Sequence, residues 1–168
     1  LGLASSGVHS NGYSLVRKIV ADRKLDLNKV YPGFAKPLGQ VLLEPTFVYV
    51  NPILQLRKEF PILGIAHITG GGLLENIPRI LPVQSRVALK RSAWPRVPVF
   101  DFLQEQGRVE DAEMHRVFNC GIGMVLVVKP GDAEEILNRL NAGGQPAYLI
   151  GEIAARGAAE APQVLIQD

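Results

Sequence analysis

The triplet Gly70-Gly71-Gly72 constrains this chain more than any other feature of it. Glycine loses more backbone freedom on folding than any other residue, so three in a row are costly unless the chain must bend tightly or lie close to something. Residues 62–68 form a compact apolar run that stops at the triplet, and Leu73, Leu74, Ile77, Ile80 and Leu81 then recur at helical spacing around Pro78. This pattern predicts a strand, a glycine loop and a helix over 73–81. Consecutive backbone N–H groups at such a junction suit a phosphate, which side chains would obstruct. A bulky residue at Gly71 is therefore expected to block the anion without unfolding the domain. The loop does not match GxGxxG, and the chain contains no Gly-Lys dipeptide for GxxxxGK[ST], which argues against a conventional dinucleotide or Walker-type site. On residue types alone, the alternative is a flexible connection with His67 satisfied in the core.

A second polar cluster precedes an amphipathic helix in which Leu15, Val16, Ile19 and Val20 oppose Arg17, Lys18 and Asp22. It brings Ser5, Ser6, Gly7, His9, Ser10, Asn11 and Gly12 into one short stretch. Hydroxyls and helix-terminal N–H groups bind anions, glycines admit a ligand, and His9 could donate to a phosphate or transfer a proton. Capping by Ser10 or Asn11, with His9 exposed, explains the same residues equally well. A third segment, Phe118-Asn119-Cys120-Gly121-Ile122-Gly123-Met124, opens a strong strand. Asn119 could reach a ligand there, but a strand entry with structural glycines and a buried thiol is the simpler reading.

With 168 residues, 47% of them hydrophobic, the chain can bury one substantial core, so residues 1–168 are expected to form a single domain. A net charge of +2, with Lys and Arg scattered among Asp and Glu, leaves no basic stripe for nucleic acid and fits small anionic ligands better. Cys120 is the only cysteine, and His9, His67 and His115 lack metal-ligand spacing, so neither a disulfide nor a metal site is expected. A cytoplasmic protein without a membrane span is the default expectation. The chain begins with Leu on what reads as a strand end, which is expected of a piece of a longer polypeptide.

Elsewhere, short helices are predicted at 38–43, 49–60, 99–106 and 110–117, and another after Asp132, read as its N-cap. Strands are predicted near the N-terminus, at 62–68, around Val87 and Leu89, and at 122–128, 148–154 and 163–166. An alanine-rich loop separates the last two. The fold class that follows is α+β, a three-layer domain with a mixed sheet of about six strands flanked by helices.

Three blocks, LASSGVHSNGYSLVRK from Leu3, AHITGGGLLENIPR from Ala66 and FNCGIGM from Phe118, together resemble the phosphoribosylformylglycinamidine cyclo-ligase family, also called aminoimidazole ribonucleotide synthetase. The resemblance runs from Leu1 to the last strands and covers that family's carboxyl-terminal domain. It implies an ATP-dependent ring closure in purine biosynthesis, with ATP and Mg bound mainly by an amino-terminal domain outside this chain, and a homodimeric complete enzyme. It also implies that phosphoribosylformylglycinamidine lies between the two domains. On this domain's side the substrate-binding residues would be Ser5, Ser6, Gly7, Asn11, Gly12, His67, Thr69, Gly70, Gly71, Gly72 and Asn76, with His9 as the candidate catalytic residue. This chain alone would be inactive. The alternatives are the corresponding domain of a related enzyme such as formylglycinamidine ribonucleotide synthetase, and a non-catalytic ligand-binding or assembly module.

Overall fold

The computed structural model describes residues 1–157 and 161–167. Its centre is the strand Ile122–Val127 (β4), whose run of large and β-branched side chains is buried on both faces. Gly2–Ala4 (β1) and Gly64–His67 (β2) flank it, and Ala147–Tyr148 (β5) pairs with β1, giving an antiparallel sheet in the order β2-β4-β1-β5. Met124 and Leu126 pack with Ile53 and Leu56 of the helix Val50–Glu59 (α3) and with Ile136 and Leu140 of Ala133–Ala142 (α7). Val125 faces the other way, towards Leu73 and Ile77 and towards Val87 and Leu89 of the strand Ser85–Lys90 (β3). That strand is the middle of a second sheet, antiparallel to Gly151–Ala155 (β6) and parallel to Val164–Gln167 (β7). The three layers are therefore α3 and α7, the four-stranded sheet, and the second sheet with Leu73 and Ile77 packed beside it.

The α+β class holds, but among the described residues seven short strands lie in two sheets instead of about six in one. The difference arises at 148–154, which reads as one strand and is two. Leu149 and Ile150 interrupt it, so β5 stays with β1 while β6 crosses to β3. Ile150 is buried between the sheets, and its methyl groups lie 2.9 Å from where a Cβ on Gly2 would stand. Periodicity cannot register such a change of sheet, because β5 has only two residues and β6 is mostly exposed, so neither shows a sustained alternation. The alanine-rich loop after Gly157 falls in part on residues 158–160, outside the described residues.

The helix expected over 73–81 is shorter. It runs from Gly72 to Asn76 (α4) and gives way to a 3-10 turn at Pro78–Ile80, because Pro78 offers no N–H to continue the α-helical ladder. Tyr13–Asp22 (α1), Leu38–Leu42 (α2), Pro98–Gly107 (α5) and Asp111–Val117 (α6) bury Val16, Leu38, Leu103 and Phe118 among others in a separate apolar cluster that carries the N-terminal polar loop. Neither Ser10 nor Asn11 caps α1. Gly12 holds that position with φ 77°, and no side chain bonds to the helix start. Asp132 sits at the N-cap of α7, likewise without a side-chain cap bond, while Glu134 and Glu135 occupy the first turn as expected. No helix among the described residues is long and apolar enough to cross a membrane.

Candidate functional site

The glycine loop leaves β2 at His67 and turns into α4, and its three glycines do different jobs. Gly72, at φ 57°, is buried. A Cβ there would run into the carbonyl oxygen of His115 and stand 2.7 Å from that of Phe118. Gly71, at φ 98°, would press a Cβ to 2.6 Å from the Cβ of Glu75. The Gly71 substitution expected to be harmless to the fold is therefore strained in both backbone and side-chain space. Gly70 alone is exposed and open, with only Asn11 Oδ1 near its Cβ position, at 3.9 Å.

Asn76 braces this loop from within. It is buried, and its Nδ2 donates to the carbonyls of Gly72 at 2.8 Å, Gly70 at 3.2 Å and Thr69 at 3.3 Å, while its Oδ1 accepts from the Thr69 hydroxyl at 3.2 Å. Its amide is spent on the loop itself and not held out to orient a ligand. The Gly72 N–H donates to Thr69 O and the Glu75 N–H to Gly71 O, whereas the N–H groups of Gly70 and Gly71 meet no acceptor among the described residues. With α4 only five residues long, any anion here is held by these local N–H groups and not by a long helix dipole.

In the other loop His9 is buried at 4% exposure and adopts φ 58°, a region costly for a residue with a side chain. The expectation of an exposed His9 under the capping alternative fails. The Ser6 N–H donates to His9 Nε2 at 3.1 Å, so the neutral ring carries its proton on Nδ1, and that atom is buried without a hydrogen-bond partner. Burial, and secondarily the charge on the neighbouring His67, hold the His9 pKa down at about 4. At neutral pH His9 is therefore a neutral hydrogen-bond donor with nothing to donate to, not an imidazolium acid. His67 is exposed at the end of β2, which removes the reading of it as a satisfied core histidine.

The remaining predicted residues divide between framework and surface. Ser5 is buried, and its hydroxyl donates to Asn119 Oδ1 at 2.8 Å; the Ser6 hydroxyl donates to the Pro45 carbonyl at 2.6 Å. The Gly7 carbonyl accepts from Asn119 Nδ2 at 2.8 Å. Gly12 is a packing glycine, since a Cβ would run into the Phe118 ring. Asn11 is half-exposed and faces Gly70, so the two loops meet where these residues approach. Residue types did not reveal Tyr49. Its hydroxyl donates to Ala4 O at 2.7 Å, its ring centroid lies 6.2 Å from that of His9 and 6.3 Å from that of His67, and burial pushes its phenol pKa up. With Thr46, Phe47, Met124 and His67 it lines an open groove of about 510 Å³ beside the loops. The only sequence signal was an aromatic residue ahead of a helix start. Cys120 is half-buried and not the fully buried thiol of the simpler reading; it donates to Met114 O, and desolvation raises its pKa to about 12, so it is no nucleophile at neutral pH.

The family model described as AIR synthase related protein, C-terminal domain, matches residues 1–161. This chain belongs to that family. As an AIR synthase related C-terminal domain it is 52% identical over 166 residues to the phosphoribosylformylglycinamidine cyclo-ligase of Cupriavidus pinatubonensis, covering 99% of this chain and 47% of that protein. It is 51% identical over 155 residues to the protein of the same name from Geobacillus kaustophilus, covering 92% and 45%. The domain thus spans about half the length of the curated relatives it matches. Among solved structures, E. coli HypE, a hydrogenase maturation protein, aligns with a TM-score of 0.58 at 19% identity over 98% of this chain and 45% of that one, a likeness of fold alone.

Proposed function

We propose that this domain is the substrate-binding half of an ATP-dependent cyclo-ligase that converts phosphoribosylformylglycinamidine to aminoimidazole ribonucleotide, ADP and phosphate in purine biosynthesis. The observation that carries the reading is the meeting of the two loops, where open Gly70 faces Asn11 and the unpartnered Nδ1–H of buried His9 lies in the same N-terminal loop. The N–H groups of Gly70 and Gly71 receive the substrate phosphate, with Thr69 and Asn76 fixing the loop that presents them. Neutral His9 donates from Nδ1 to an acceptor atom of the substrate and orients or polarises it, while His67 and Asn11 flank the bound molecule. The open groove beside Tyr49 offers an apolar wall to the non-phosphate part.

In this reading the amide oxygen of the substrate is activated by phosphoryl transfer from ATP, and an amidine nitrogen closes the ring as phosphate leaves. Among the described residues no group of three or more His, Cys, Asp or Glu could hold a metal ion. Mg and most ATP contacts belong, in the proposal, to the other half of the longer protein, which forms a cytoplasmic homodimer. The identity to two curated cyclo-ligases favours this enzyme over a formylglycinamidine ribonucleotide synthetase. Turnover by the full-length protein tests it. Phosphoribosylformylglycinamidine and ATP should yield aminoimidazole ribonucleotide and ADP without glutamine. Consumption of formylglycinamide ribonucleotide with glutamine, and none of the amidine, would assign it to the related enzyme.

A further inference from the structure

The turn from α6 into β4 supports both loops at once. Phe118 fills the space where Gly12 would carry a Cβ, and the carbonyls of His115 and Phe118 fill the equivalent space at Gly72. Each loop therefore has one glycine seated against the same short segment, 115–118. The next residue, Asn119, is 2% exposed and makes three bonds with its amide. Nδ2 donates to Gly7 O at 2.8 Å, and Oδ1 accepts from the Ser5 hydroxyl at 2.8 Å and from the Gly121 N–H at 2.9 Å. The last of these closes a local Asx turn within the corner; the other two cross 112 and 114 residues of sequence to grip the N-terminal loop.

We propose that Asn119 is a positioning residue for substrate binding, holding the Ser5 hydroxyl and the Gly7 carbonyl so that His9 and Asn11 stand opposite the glycine loop, which rests on the same corner. The proposal rests on the reading of the two loops as the substrate site. His9 needs such an anchor, because its left-handed backbone persists only where the surroundings over-determine it. The Ser6 N–H that holds its ring lies between the two residues that Asn119 grips.

Two variants of the full-length protein separate positioning from folding. Asn119→Ala removes all three bonds. Asn119→Ser keeps a hydroxyl able to accept from the Gly121 N–H, as serine does in ST turns, and drops the two bonds to the loop. Both should raise KM for phosphoribosylformylglycinamidine by about ten- to a hundredfold, the cost of unpairing buried polar groups, while KM for ATP stays at the wild-type value. Amide hydrogen exchange should quicken at residues 6–12 and stay unchanged in α7. If Asn119→Ala fails to fold, the same readings on Asn119→Ser decide. Unchanged KM for the substrate with slow exchange at 6–12, or a fall in kcat that leaves both KM values alone, would overturn the proposal. Should the wild-type protein not turn over the amidine, the functional reading fails, and hydrogen exchange alone still accepts or rejects the anchoring role.

Discussion

At the scale of single residues, His9 is where chemistry and burial conflict most. Its folded pKa of about 4 lies below the ordinary 6.5, so between these values the unfolded chain binds a proton that the folded protein refuses. Falling pH therefore removes stability across that window. The penalty is absent above 6.5 and complete below about 4. Urea unfolding from pH 7 to 4 should show a steeper loss for the wild-type protein than for His9→Gln, and parallel curves would show that His9 titrates normally. The imidazole of His9 and the hydroxyls around it marked this loop in the sequence, but residue types alone left a ligand site and a capped turn equally open. The sequence did not reveal that Ser5 and Asn76 serve the framework. Asn76 was expected to bind substrate and Asn119 to be able to reach a ligand, and only tertiary contact shows both amides donating to carbonyls of the loops.

At the scale of elements, the strand, glycine loop and helix were legible in order, since a buried apolar run and a costly triplet leave few alternatives. The helix length was not, because the consequence of Pro78 depends on whether the chain kinks or stops, and here it stops. The split of 148–154 between two sheets was equally hidden, being decided by where Ile150 finds space. The loop's glycines should now respond differently to substitution. Gly72→Ala forces a left-handed alanine against two carbonyls and should cost about 2–5 kcal/mol in chemical denaturation. Gly70→Val places its side chain in open space beside Asn11, so the fold should survive while substrate binding weakens. A Gly70→Val protein that unfolds, or a Gly72→Ala protein of normal stability, would mean that the loop is packed otherwise than described.

At the scale of the whole molecule, three apolar clusters among the described residues join two sheets and seven α-helices into one support for two loops that are 58 residues apart from His9 to His67 in sequence. The α+β class followed from alternating strand and helix signals, while the loops' meeting depended on the corner at 115–119, where Phe118 and Asn119 read as a strand entry and not as a support for either loop. The central claim is that this domain holds the substrate phosphate and leaves ATP to the rest of the longer protein. Isothermal titration calorimetry on the folded 168-residue chain tests it most directly. Saturable heat with phosphoribosylformylglycinamidine, abolished by Gly70→Val, and none with ATP is the predicted result. Tight binding of ATP with no heat from the amidine would contradict it.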